Sequence, residues 1–387
     1  MKSFVFHNPT KIIFGKDSHL SAGEACLPYA RKVLMHYGGG SIKKNGVYEG
    51  VKKSLADAGI EAVELGGVQP NPRLSLVYEG IRICQEQEIG FILAVGGGSV
   101  IDSAKAIAAG VPYDGDVWDF FSKGVKPQSA LPIGVVLTIP AAGSESSDGT
   151  VVTREDGQLK RSFGSDLLYP HFAILNPVLC KTLPENQIAA GGTDILAHVM
   201  ERYFSKEPHT DVSDRLCENV LRSVMDNLLR VKENPQDENA WAEVMWGGTI
   251  AHNGLLGKGR QEDWASHGIE HELSAIYDIA HGAGLAIVFP AWMKYVHSAC
   301  PSRFVQFAVR VMDVDWAYDD QEAMILEGIA RLERFLTRLG APVRLHQLNI
   351  GTSDFGIMAQ KACGSGTIGS FMPLYAKDVE AIFHLAK

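Results

Sequence analysis

The chain has 387 residues, 46% hydrophobic and 21% charged, with 40 glycines and a formal net charge of -9. That length exceeds one ordinary hydrophobic core and sets an expectation of two domains, while the acidic balance argues against a general nucleic-acid binder, which carries a basic face against phosphate. Six scattered cysteines with no C-x-x-C pair indicate neither a disulfide framework nor a zinc ribbon, so reduced thiols are expected.

In chain order, "MKSFVFHNPTKIIFGKD" alternates apolar and polar residues as an edge strand or hairpin does, and lacks the continuous apolar run of a signal peptide. No later segment reaches the apolar length of a membrane span, so a cytoplasmic protein is expected. "KVLMHYGG", "EAVELGG", "FILAVGGGS", "IGVVLTIP" and "FAILNP" are short apolar runs ending in Gly or Pro, separated by amphipathic stretches. That rhythm predicts a parallel sheet with crossover helices. Beyond "NPVLCKTLPENQIAAGG" helical periodicity takes over in "DILAHVMERYFS", "DRLCENVLRSVMDNLLRV" and "EAMILEGIARLERFLTRLG". A boundary near residues 177–184 gives an α/β domain over 1–180 and an all-helical domain over 181–387, with "ENPQDENA" as an interhelical loop.

Gly96, Gly97, Gly98 and Ser99 stand between an apolar strand and a helix. Glycines there let backbone approach a pyrophosphate, and the helix start supplies free N–H donors. The same glycines also fit a tight turn without a ligand, and the segment is neither G-x-G-x-x-G nor a Walker loop. A second cluster, Gly38, Gly39, Gly40 and Ser41 before Lys43 and Lys44, lacks the acid that many NAD enzymes use on the ribose 2′-hydroxyl. It favours NADP(H), although each lysine alone also fits a solvated surface. "TIPAAGSESS" is a third small, hydroxyl-rich loop after a strand.

"HGIEHELSAIYDIAHG" gathers His267, His271 and His281. His267 and His271 share a helix face, but His281 would lie about 15 Å beyond His271 on a straight helix, so a turn is required. Asp278 is the expected N-cap of a new helix that His281 opens. Asp194 and His198 repeat the four-residue spacing in "GGTDILAHVMERY". One carboxylate with several imidazoles suits Fe²⁺ or Zn²⁺, whereas any single histidine fits an ordinary polar role.

"GGGSVIDSAK", "TIPAAGSESS", "DILAHVMERY" and "HGIEHELSAIYDIAHGAGLAIVFP", in this order, resemble the iron-dependent (group III) alcohol dehydrogenases, in particular their NADPH-dependent butanol dehydrogenase and aldehyde reductase branch. The resemblance runs from "NPTKIIFGKD" to "PLYAKDVEAIF". It implies a Rossmann-like, dehydroquinate synthase-like nucleotide-binding domain followed by a helical metal-binding domain. It implies Fe²⁺, with Zn²⁺ as a substitute, on Asp194, His198, His267 and His281, and His271 as a non-ligand histidine that relays a proton beside the nicotinamide. It further implies NADP(H) contacts at Gly38, Gly39, Ser41, Asn71, Gly97, Gly98, Ser99, Asp102, Thr138, Ser144, Ser147, Lys160 and Leu179. The implied reaction interconverts a small primary alcohol and an aldehyde by hydride transfer. Family members are usually homodimers, often through the N-terminal strand. Two departures stand out: Ala142 where Thr is common, and Asn176 where Asp is. The competing readings are a zinc, NAD-dependent polyol dehydrogenase or synthase, and a non-catalytic nucleotide-binding redox sensor.

Overall fold

The computed structural model describes residues 1–317 and 319–387. The five apolar runs of the first half become neighbouring strands, because a parallel sheet covered on both faces needs strands that are apolar throughout. These are β2 (Lys32–Gly38), β3 (Glu61–Val68), β4 (Ile92–Gly96), β5 (Ile133–Leu137) and β8 (Phe172–Leu175), joined at one end by the short β1 (Lys11–Phe14). The order is β1-β8-β5-β4-β2-β3 and every pairing is parallel. Val33, Met35, Leu93, Val95, Val136 and Ile174 fill one core with Val47, Val51 and Leu55 of the helix Val47–Asp57.

Two features depart from the expected pattern. The opening alternation yields strand only at Lys11–Phe14, on the sheet's edge, and residues 1–10 take no regular form. An antiparallel hairpin, β6 (Gly149–Arg154) and β7 (Leu159–Gly164), adds a second sheet.

The chain forms two compact units, 7–183 with 235–249, and 1–6 with 184–234 and 250–387. The division therefore differs from a single cut near residue 180. Residues 238–249 belong to the α/β unit through Lys181 Nζ on Glu238 at 2.6 Å, the Thr249 hydroxyl on Glu145 at 2.7 Å, and Trp246 edge-on to Phe14 at 6.4 Å. Met1 and Lys2 belong to the helical unit, their nitrogens donating to the Pro208 and Gly259 carbonyls at 2.9 and 2.8 Å. That unit centres on the helix Glu185–Tyr203, buried along most of its length and packed by the helices Asp211–Glu233 and His281–Val296. No described helix is long and apolar enough to cross a membrane.

Candidate active site

In the helical unit, the turn that His281 requires is present, with a different cap. Asp278 ends the helix Ala265–Tyr277 in a left-handed conformation (φ 51°), and Ala280 is the N-cap of the helix His281–Val296. A left-handed C-terminal residue reverses the chain sharply. His281 thus returns toward His267 as the first residue of a new helix.

Asp194, His267 and His281 offer ligand atoms that all lie within 4.8 Å of one another. His267 Nε2 and His281 Nε2 each stand 3.9 Å from the same oxygen, Asp194 Oδ1. His198 adjoins this trio: its ring centroid is 4.5 Å from that of His267, and its Nδ1 faces the Asp194 carbonyl at 2.8 Å and Oδ1 at 3.0 Å, which leaves Nε2 as the outward nitrogen. His271, one turn beyond His267, lies beside His281 with centroids 5.5 Å apart, and with Glu270 and His281 it forms a second close group.

This donor set fits a metal. Asp194 Oδ1 and His267 Nε2 are buried without a hydrogen bond, an unfavourable state that a cation between them would relieve. Burial pushes the Asp194 carboxyl up, but His198, followed by His281 and His267, holds it below the ordinary carboxylate range. Burial, joined by repulsion from His198 and His281, lowers His267 well below the usual histidine value. An ionised carboxylate facing a neutral imidazole is the protonation state that metal ligation needs.

Glu201 and Glu270, fully buried, were not singled out as site residues from sequence; each hydrogen-bonds the Nδ1 of one clustered histidine, Glu201 to His267 at 2.8 Å and Glu270 to His281. Glu201's place seven residues after Asp194 and three after His198 was the available signal, since that spacing sets all three on one helix face. His252, set aside for want of spacing, packs its ring 4.3 Å from His198, and Trp264 stands 5.1 Å from His267. Nothing in local spacing points to His252, because it belongs to another helix.

In the α/β unit, the strand order places a topological switch between β2 and β4: the chain leaves β2 for β3 on one side and returns to β4 on the other. Ligands of such sheets bind at the strands' carboxyl ends at this point. Tyr37 pairs with Val95 and Gly96 with Leu137, so the loops after β2, β4 and β5 are adjacent. These strand ends, loops and the helix starts that follow carry Gly38, Gly39 and Ser41; Gly97, Gly98 and Ser99; and Thr138, Ser144 and Ser147. Asn71 follows β3 and Leu179 follows β8 on the same edge. A Cβ at Gly39 would meet nothing within 4 Å, whereas one at Gly97 or Gly98 would press on Ile139 or Ala142 at 3.2 and 3.1 Å. Glycine at those two positions keeps the helix start Gly98–Gly110 bare.

Three of the expected cofactor contacts hold the fold itself together. Asp102 accepts from the Ser144 hydroxyl at 2.6 Å and the Val151 amide at 3.2 Å, and burial raises its carboxyl. Lys160, on β7, donates to Asn71 at 2.9 Å. Leu179 packs against the sheet core. Of the departures, Asn176 donates from Nδ2 to His19 Nδ1 at 3.0 Å and caps the turn Pro177–Thr182 by accepting from the Val178 amide at 3.1 Å.

A doubly wound nucleotide-type sheet in one unit and an Asp/His cluster that fits a metal in the other are the two parts of a metal-dependent dehydrogenase architecture. Residues 9–177 match the iron-containing alcohol dehydrogenases, and residues 188–387 match the C-terminal part of the Fe-containing alcohol dehydrogenase family. The chain belongs to the iron-containing alcohol dehydrogenase family. It is 46% identical over 382 residues, 99% of both chains, to the probable NADH-dependent butanol dehydrogenase 1 of Bacillus subtilis. It is 37% identical, over 93% of both, to the NADPH-dependent aldehyde reductase YqhD of Escherichia coli. The crystal structure of NADH-dependent butanol dehydrogenase A from Thermotoga maritima superposes with a TM-score of 0.96 at 43% identity, covering 100% of this chain and 99% of that one. The enzyme is an oxidoreductase that interconverts alcohols and aldehydes.

Proposed function

We propose that the enzyme works on short primary alcohols and aldehydes of about butanol size with NADP(H), and that Asp194, His198, His267 and His281 hold its Fe²⁺. The names of the B. subtilis and E. coli relatives support the substrate class. For the cofactor, the observation that carries the reading is the end of β2. From Gly38 to Asn45 the sequence has no carboxylate, and the Lys43 ammonium lies over the Tyr37 and Tyr48 rings at 5.1 and 4.8 Å. The nearby acid Glu64 is already engaged by the Tyr37 hydroxyl (3.0 Å), the Tyr48 hydroxyl (2.8 Å) and Lys52 (2.8 Å), so it offers little repulsion to a 2′-phosphate.

A divalent metal on the four ligands would act as a Lewis acid on the substrate oxygen. The chain's own share is to keep Asp194 ionised and His267 neutral, and to place His271, a ring next to His281, where it can hold or release a proton. We also propose a homodimer through the sheet edge: β1 bonds on one side to β8, and Phe14 is 43% exposed there.

The test is butyraldehyde reduction by metal-stripped enzyme reloaded with Fe²⁺ or Zn²⁺, with NADPH and NADH compared by kcat/KM. Turnover that depends on Fe²⁺ and favours NADPH is expected. Preference for NADH, as in the name of the B. subtilis relative, would overturn the cofactor reading, and no turnover of butyraldehyde with either would overturn the substrate reading in favour of a polyol.

A further inference from the structure

We propose that Glu201 and Glu270 are positioning residues for the metal, each fixing one ligand histidine in the tautomer and orientation that aims Nε2 at Asp194. The inference rests on the ligand set proposed above. Both side chains are 0% exposed, an unfavourable place for a carboxylate unless strong donors meet it.

Glu201 accepts three hydrogen bonds: from His267 Nδ1 at 2.8 Å, the His267 amide at 3.0 Å and the Trp264 amide at 2.9 Å. The two amides belong to the N-terminus of the helix Ala265–Tyr277, whose N-cap, Trp264, supplies no capping side chain. Glu201 therefore ties the helix of Asp194 and His198 to the first turn of the helix of His267. With Nδ1–H donated to Glu201, the lone pair of His267 is on Nε2, the atom that lies 3.9 Å from Asp194 Oδ1 and has no hydrogen bond.

Glu270 repeats the arrangement on the opposite flank. Its Oε2 meets His281 Nδ1, its Oε1 accepts from the Ser274 hydroxyl, and His281 Nε2 is the second nitrogen 3.9 Å from Asp194 Oδ1. Gly284 leaves the space this carboxylate fills, since a Cβ there would stand 2.6 Å from Glu270 Oε1. Two imidazoles equidistant from one oxygen, each backed by its own buried carboxylate, match the way carboxylates behind ligand histidines fix ring orientation and raise ligand basicity. A plain helix-capping role would explain the amide bonds of Glu201, but neither its bond to the ring nor the second carboxylate.

The experiment titrates Co²⁺ into metal-free wild type, Glu201→Gln and Glu270→Gln against a chromogenic chelator, and records the cobalt d–d absorption of each. Roughly 10- to 100-fold weaker binding with an altered spectrum is expected for both variants. Affinity within about threefold of wild type and an unchanged spectrum would overturn the inference, leaving the carboxylates purely structural. Should Glu201→Gln fail to refold, Glu270→Gln, which retains an acceptor for Ser274, carries the same test. A His267→Ala variant that bound Co²⁺ as tightly as wild type would overturn the ligand set itself, and this inference with it.

Discussion

A Cβ added to Gly282 would stand 1.8 Å from the carbonyl oxygen of Ala190, so the second residue of the His281 helix lies directly against the backbone of the Asp194 helix. Only glycine permits that approach, and the approach carries His281 to Asp194.

Gly282→Ala is expected to destabilise the protein by about 1–3 kcal/mol despite alanine's better helix propensity, because two backbones must separate. Bound metal should fall with it, since His281 moves with its helix. Thermal unfolding and metal content measured together check this; a variant as stable and as metal-rich as wild type would contradict it.

His36 gives a prediction away from the metal. It is fully buried on β2, with Nδ1 2.8 Å from the Leu65 carbonyl and Nε2 2.9 Å from the Ser103 hydroxyl. Burial lowers it to about 4, only partly opposed by the Leu65 bond. The unfolded chain titrates near the ordinary value of about 6.5, so between these pH values it binds more protons than the folded protein. The resulting contribution, about 3 kcal/mol, is present above about pH 6.5 and lost as pH falls toward 4. Urea unfolding of wild type and His36→Gln across this range should give curves whose difference shrinks toward acid pH; parallel curves would exclude the assignment.

Lys105, 0% exposed, donates to the carbonyls of Ser144, Ser147 and Gly149 at 2.7, 2.8 and 2.9 Å. It fixes the loop that carries Ser144 and Ser147. Lys105→Met leaves those carbonyls without their donor, an expected cost of about 3 kcal/mol, and should raise the cofactor KM more than it lowers kcat. An unchanged cofactor KM in a folded variant would separate this loop from cofactor binding.

The sheet was legible because each parallel strand is an apolar run with Gly or Pro at its end, and β4, β5 and β8 are buried throughout. The β6–β7 hairpin escaped because its strands mix Thr, Lys and Arg with apolar residues. Its signal was the Asp156-Gly157 pair between them, where Gly157 takes a φ of 79°. The need for a turn before His281 was legible from helix rise alone, but the role of Asp278 was not, since Asp serves both N-caps and left-handed positions. Ligand spacing within a helix can be read from sequence. The meeting of Asp194 with His267 and His281 depends on how three helices pack, which no local periodicity encodes.

His267 and His271, the paired histidines of "HGIEHELSAIYDIAHG", are expected to separate in function. His267 Nε2 faces Asp194 Oδ1 and Nδ1 is taken by Glu201, so His267→Ala removes a proposed ligand and leaves both carboxylates without the imidazole that lies between them. Metal content and turnover should both be lost. His271, on the same helix one turn later, borders His281 without belonging to the Asp194 trio. Its replacement by Ala should leave the metal bound while turnover falls about 100-fold, the usual scale for losing a general acid or base. Metal analysis by plasma emission alongside kcat distinguishes them: metal loss in His271→Ala would make it a ligand, and full activity would remove it from the proton path.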